Sequence, residues 1–234
     1  MGESEKSTLE MIHTAAKAEF MERGFAEASM RTIAERAGFT TGMLYSRFAD
    51  KSEIFRELVE GPADELYNYF MTVQNEFAGY SPEYQRREMH PYVAQKIDRM
   101  VDLIYDNFDA FKLILCKSGG TSYEYYVDKM IDVETESTFR FIDAVKGAGY
   151  EIADIRKDLA HMLASAMFNG MFEVVMHDLS REDARQYILK LQEFFILTNR
   201  YFYIKPEQYR ERQEVNKEYG IGYQRGKDIL YITH

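Results

Sequence analysis

Ala34, Gly38 and Leu44 stand four and six residues apart in the stretch Ile33-Ala34-Glu35-Arg36-Ala37-Gly38-Phe39-Thr40-Thr41-Gly42-Met43-Leu44-Tyr45. Two short helices that cross closely need a small residue inside the first, and Ala34 meets that need. The joint needs a residue at ease with positive φ, which Gly38 supplies. The second helix must return an apolar side chain to the core, and Leu44 does so, with Ile33, Ala37, Phe39 and Phe48 as further lining. The chemistry of such a unit is non-covalent: its second helix enters the major groove of DNA, N-terminal end first. Thr40, Thr41, Gly42, Met43 and Ser46 are then the leading or outward positions. Gly42 lets backbone approach the duplex. Thr40 caps the helix and leaves N–H groups facing a phosphate. The Tyr45 hydroxyl reaches a phosphate, Lys51 is a point charge for the DNA backbone, and Ser29 brings a hydroxyl and an N–H to another phosphate.

Charge restricts where a polyanion can bind. The 234 residues carry a net charge of −10. Met1–Phe55 holds seven Lys/Arg against nine Asp/Glu, but Ser29–Lys51 holds Arg31, Arg36, Arg47 and Lys51 against only Glu35 and Asp50. Any DNA contact is focused on that inner piece. Other chemistries find little support. No nucleophile–base motif or cofactor loop is present, and Lys117-Ser118-Gly119-Gly120 lacks the first glycine of a phosphate-binding loop. His13, His90, His161, His177 and His234 show no pair at metal-ligand spacing, so neither a metal nor a cofactor is expected. The single cysteine, Cys116, excludes an internal disulfide framework and fits a reducing cytosol. It ends an apolar run, which suits a buried, inert thiol; Lys117 beside it would favour a sensor. The polar N-terminus is no secretory signal, and no apolar run approaches the roughly 18 residues of a membrane span. A cytoplasmic protein without a membrane partner is expected.

The elements that position the motif read as an all-α chain. A first helix over Ser7–Arg23 stops at Gly24. Ser29 caps Met30–Ala37, Thr40 caps Thr41–Phe48, and Asp50-Lys51-Ser52-Glu53 is a capping box that opens a fourth helix. Gly61-Pro62 should break or kink it. Gly79-Tyr80-Ser81-Pro82 is a turn, and His90-Pro91 starts another helix. Further helices are expected over Ser122–Lys146, Asp154–His177 and, from the cap Ser180, to Tyr203. The domain boundary falls near Phe55: residues 1–55, then 56–205, then a tail, 206–234, to which no structure is assigned.

The segment from Phe25 to Phe55 resembles the DNA-binding part of the TetR family of bacterial transcriptional regulators. Gly24-Phe25, the Ser29 helix start, Ile33-Ala34, Ala37-Gly38, Thr40, Gly42, Leu44-Tyr45, Phe48, Lys51 and Glu53 follow that family's pattern in order. The resemblance covers roughly the first 60 residues. It implies an N-terminal three-helix helix-turn-helix domain that binds a double-stranded DNA operator. It also implies a larger C-terminal helical ligand-binding and dimerisation domain, a homodimer, and release from DNA when a small-molecule effector binds. The family's DNA contacts carry over onto Ser29, Thr40, Thr41, Gly42, Tyr45 and Lys51. Thr41 stands where many members have a basic residue, which shifts duplex affinity onto Arg31, Arg47 and Lys51; Arg47 has the alternative of pairing with Glu53 or another carboxylate.

In the larger part, Leu159, Leu163, Ala166, Gly170 and Val174 step along one helix, and Ala184, Ile188, Leu191, Phe195, Thr198 and Phe202 along the next. Both helices are apolar on further faces, so a second copy of the chain is expected against them, with Ala166 and Gly170 allowing close approach. Phe108, Phe111, Leu115, Tyr123, Tyr126, Met130, Phe139, Phe168 and Met171 are candidates to line a ligand cavity. Glu124, Glu134 and Glu136 would favour a cationic ligand. The reading is a repressor released by a small molecule, not an enzyme. The competing reading is a helical adaptor or small-molecule-binding protein that has lost DNA binding.

Overall fold

The computed structural model describes residues 3–152 and 154–203, with the dipeptides 221–222 and 231–232. Nine helices are described: α1 (Glu3–Glu27), α2 (Met30–Ala37), α3 (Thr41–Arg47), α4 (Lys51–Ala78), α5 (Pro82–Asp106), α6 (Phe108–Lys117), α7 (Tyr126–Gly147), α8 (Lys157–Met176) and α9 (Arg181–Tyr203). Ile221–Gly222 and Tyr231–Ile232 pair antiparallel, Ile221 opposite Ile232. The rest of the tail expected from 206 onward lies outside the described residues. The all-α expectation otherwise matches.

Local signals explain the first three helices. Gly24 leaves helical geometry inside α1 at φ 75°, ψ 164°, so the helix stops there in substance and resumes for one short turn. Gly38 adopts φ 77°, ψ 24°. Its N–H donates to the Glu35 carbonyl at 3.2 Å and that of Phe39 to Ala34 at 2.9 Å, which closes α2 with a left-handed glycine cap. Thr40 Oγ1 accepts the Met43 N–H at 3.2 Å and starts α3. Asp50 Oδ1 accepts the N–H groups of Ser52 (2.7 Å) and Glu53 (3.1 Å), while Glu53 Oε2 accepts that of Ala49 (2.8 Å). The capping box is therefore present, its return arm displaced by one residue.

Several expectations are corrected. Gly61-Pro62 does not end α4, which runs unbroken from Lys51 to Ala78. Leu58, whose carbonyl the proline ring deprives of an N–H partner, lines an open cleft together with Pro62, so water can serve it. His90-Pro91 lies inside α5. Ser81 Oγ accepts the Tyr84 N–H at 3.3 Å and Pro82 occupies the first turn, a stronger start signal than an interior proline. The α7 helix begins at Tyr126, because turns fill Thr121–Tyr125, with the Tyr126 N–H bonded to the Tyr123 carbonyl at 3.0 Å. Ser29 caps α2 by position only; its side chain makes no capping bond. Cys116 is exposed, not buried. Partial desolvation pushes its thiol pKa up, against the opposing pull of Lys112 and Lys117.

One core runs through both parts of the molecule. Phe20, Phe55, Phe111 and Phe168 are its largest fully enclosed side chains. The helix α8 is long and apolar enough to cross a membrane by length and composition, contrary to the sequence expectation. Its Ala160, Ala164, Phe168, Phe172, Val174 and Val175 are nevertheless buried in the chain's own core. Of the stripe read from Leu159, Leu163, Ala166, Gly170 and Val174, only Val174 is fully buried in that core. Of that set, Ala166 is exposed, and a Cβ on Gly170 would meet Leu191 Cδ2 at 3.0 Å. Gly170 therefore serves the α8–α9 crossing within one chain.

Candidate nucleic-acid interface

The recognition unit is held by its entry segment, Gly24–Ser29. Glu19, fully buried on α1, accepts the Ser29 N–H at 3.3 Å through Oε1. Its Oε2 has no hydrogen bond but lies 3.4 Å from Arg36 Nη2 on α2. From the other side Lys51 Nζ donates to the carbonyls of Phe25 (2.7 Å), Ala26 (2.8 Å) and Ala28 (3.0 Å), and sits 4.7 Å above the Phe25 ring. A carboxylate and an ammonium thus satisfy the crossing segment from its two sides. Sequence reasoning missed Glu19; a carboxylate amid the apolar stripe Ile12, Ala16, Phe20 was the available signal.

This geometry corrects the role expected of Lys51. All three of its N–H donors are taken by backbone carbonyls, so in this state it closes the first turn of the unit rather than facing a phosphate. The other residues expected to face DNA differ in exposure. Thr40, Gly42, Tyr45 and Ser46 are exposed, Thr41, Met43 and Ser29 half-buried, and Leu44 fully buried beneath them. Tyr45 is 55% exposed. Arg31 is exposed and donates to Glu35 at 2.8 Å. Arg47 pairs with Glu5 at 3.8 Å, not with Glu53. The N–H groups of Glu53 and Ser52 hold the Asp50 carboxyl below its ordinary pKa. A Cβ built on Gly42 meets nothing within 4 Å, and its backbone is helical. Nothing inside the chain requires a glycine there.

The candidate ligand residues are not gathered around one cavity. Phe111, Tyr126, Met130 and Phe168 are buried in the packed core, and Tyr126 donates its hydroxyl to the Ala63 carbonyl at 2.8 Å. Leu115, Phe139 and Met171 are half-buried. Phe108 lines an open cleft of about 500 Å³ with His13, Lys17, Leu58 and Pro62, between α1, α4 and the α5–α6 junction. Tyr123 lines a second, of about 410 Å³, with Asp50, Phe55, Arg56 and Gly120, between the start of α4 and the α6–α7 turns. Phe108 and Tyr123 thus line different clefts, while four of the other candidates are core. Of the three carboxylates, Glu124 accepts the Gly120 N–H at 2.9 Å and Glu136 is exposed. Glu134 accepts from Gln74 Nε2 at 2.6 Å, and burial of its carboxyl pushes its pKa up, partly offset by Gln74. Among the described residues no group of three or more His, Cys, Asp or Glu is placed to hold a metal ion.

A compact three-helix unit with an exposed, capped third helix defines a helix-turn-helix. Residues 12–58 match the family described as bacterial regulatory proteins, tetR family. The HTH-type transcriptional repressor KstR2 of Mycobacterium tuberculosis is 33% identical over 103 residues, 44% of this chain and 43% of that protein, so the match spans less than half of the relative's length. Among solved structures, the fatty acid degradation regulator FadR from Bacillus halodurans is similar, with a TM-score of 0.51 and 13% identity over 83% of this chain and 95% of that one. A candidate TetR-family transcriptional regulator from Mesorhizobium loti gives 0.50 and 19% over 85% and 98%. At such identities the structures speak for the fold: a helix-turn-helix unit joined to a larger helical part.

Two predictions follow from these contacts. Lys51→Met keeps the aliphatic stem over Phe25 and removes the ammonium; stability should fall by about 2 kcal/mol in urea titration. Unchanged stability would return Lys51 to a phosphate role. Glu134→Gln should stabilise the protein near neutral pH. Because its folded pKa is raised, the folded state binds the proton more tightly, and the wild type loses stability as pH rises through that pKa. The advantage of the variant should grow as pH rises above the ordinary carboxylate range and vanish at the acid end, read from paired urea midpoints.

Proposed function

We propose that the chain is a ligand-responsive, DNA-binding transcriptional regulator, a repressor that leaves its operator when a small molecule occupies the larger part. The division of labour follows the chain: residues 1–55 bind DNA, and 56–205 take the effector and a second copy. The observation that carries the reading is Gly42. An exposed helical glycine costs about 1 kcal/mol relative to alanine, and no contact within the chain accounts for it. A bare backbone at the outer face of α3 suits close approach to another surface, and the match to a repressor family supports a duplex as that surface. The protein then works in the cytoplasm, where the DNA is.

The homodimer rests on α8 and α9. Met162 is 63% and Phe194 61% exposed, and Met176 and Tyr187 are also uncovered. A second copy packed on this face would bury them and set two recognition helices at the half-site spacing of roughly 34–36 Å. The effector is unassigned in chemistry; the half-buried Glu134 carboxylate, whose described partner is the uncharged amide of Gln74, favours a cationic or hydrogen-bond-donating group.

Gly42→Ala is the test. Urea stability should rise by about 1 kcal/mol while operator affinity falls roughly tenfold, measured by fluorescence anisotropy. Higher stability with unchanged affinity would remove the duplex from this face. In a second measurement, Phe194→Glu should convert the dimer to a monomer in analytical ultracentrifugation with the helical circular dichroism retained. A dimer that persisted would move the interface elsewhere.

A further inference from the structure

The face that α3 presents has an unusual chemistry for reading bases. Successive helical residues are about 100° apart, so Gly42 and Ser46 point about 160° from the buried Leu44, flanked by Met43 and Tyr45 at about 100°. Thr41 and Arg47 lie at about 60°, on the core side. This matches the observed exposure: Gly42, Tyr45 and Ser46 exposed, Met43, Thr41 and Arg47 half-buried. The outward face carries no amide, ammonium or guanidinium. Ser46 Oγ donates inward to the Met43 carbonyl at 2.7 Å, which uses its proton. The one long cation on the helix, Arg47, pairs with Glu5.

Guanine is read in the major groove by forked or charged donors that reach O6 and N7. This face offers none. It offers a thioether, bare Cα and a phenol. The apolar group that B-DNA displays in that groove is the 5-methyl of thymine. We propose that α3 reads its half-site by packing thymine 5-methyl groups against Met43 beside the bare backbone of Gly42, and makes no hydrogen-bonded contact to guanine. This rests on the duplex-binding reading above and specifies what the duplex must contain.

The test uses the full-length protein and the tightest duplex it selects from a randomised pool. Each thymine is replaced singly by deoxyuridine, which removes only the methyl. One or two positions per half-site should lose about fourfold in affinity, the weight of one buried methyl. Met43→Ala should lose about the same factor on the thymine duplex and nothing further on the uracil duplex, whereas Met43→Leu, still apolar, should keep the difference between the two duplexes. Guanine replaced by 7-deazaguanine should change nothing. Deoxyuridine without effect at every position, or a tenfold loss on any 7-deazaguanine, overturns the proposal. Failure to select any sequence would overturn the regulator reading itself.

Discussion

The position of the recognition helix depends on how the chain gets from α1 to α2. Gly24 turns the backbone out of the helix, and the short turn that follows pairs the Ala28 N–H with the Gly24 carbonyl but leaves other polar groups to be met by side chains. Glu19 takes the N–H of Ser29, and Lys51 takes the carbonyls of Phe25, Ala26 and Ala28. Each group reaches in from a different helix, so α1, α2 and α4 are fixed to one another through this segment. Unpaired polar groups at such a crossing would each cost about 1–3 kcal/mol, which makes any other arrangement of α2 expensive. The helix α3 inherits its position from α2 through the Gly38 cap and the buried Leu44.

The same segment touches the larger part. Phe25 packs with Phe20 and Phe55 at ring distances of 6.0 and 5.4 Å, and Phe55 with Tyr123 at 6.2 Å. A Cβ on Gly24 would lie 3.9 Å from the Lys117 carbonyl, and one on Gly120 3.8 Å from Phe25. The α6–α7 turns therefore rest on the very residues that Lys51 clamps. The helix α4 runs through both parts without a break, so Asp50 and Lys51, which open it, share a rigid rod with Gln74, which reaches Glu134. A displacement of α4 or of the turns has a short packed path to α2, and packed interfaces of this kind shift between discrete arrangements rather than yielding gradually.

The helix-turn-helix was legible because each of its constraints is local: a small residue at a crossing, a glycine at positive φ, a hydroxyl at a cap. The expected boundaries of α2 match, and those of α3 agree to within one residue. The ligand cavity was not legible, because helical spacing specifies a face but not whether the opposing side chains interlock or leave a gap. Phe111 and Phe168 satisfy the pattern of a pocket wall and are core. Prolines misled for a related reason. Pro62 and Pro91 each remove one bond, and whether that ends a helix depends on whether the freed carbonyl reaches water, which is a property of the fold. The role of Lys51 was misread because a cation at a helix start gives no sign, in the sequence, of the three backbone carbonyls beside it.

Electrostatics and shape divide the remaining work. Arg31, Arg36, Arg47 and Lys51, the cations of the inner piece, all have partners within the protein. These partnerships are unequal. Arg31–Glu35 is an exposed pair on one helix, worth a few tenths of a kcal/mol, and a phosphate can replace the carboxylate at little cost. The Lys51 contacts hold the backbone together and cannot be exchanged without loosening the unit. The pair of Arg47 with the exposed Glu5, 3.8 Å apart, is exchangeable in the same way, whereas Lys51 is captive. On the duplex-binding reading proposed above, selectivity comes from contact at short range, where the bare backbone of Gly42 and the thioether of Met43 lie.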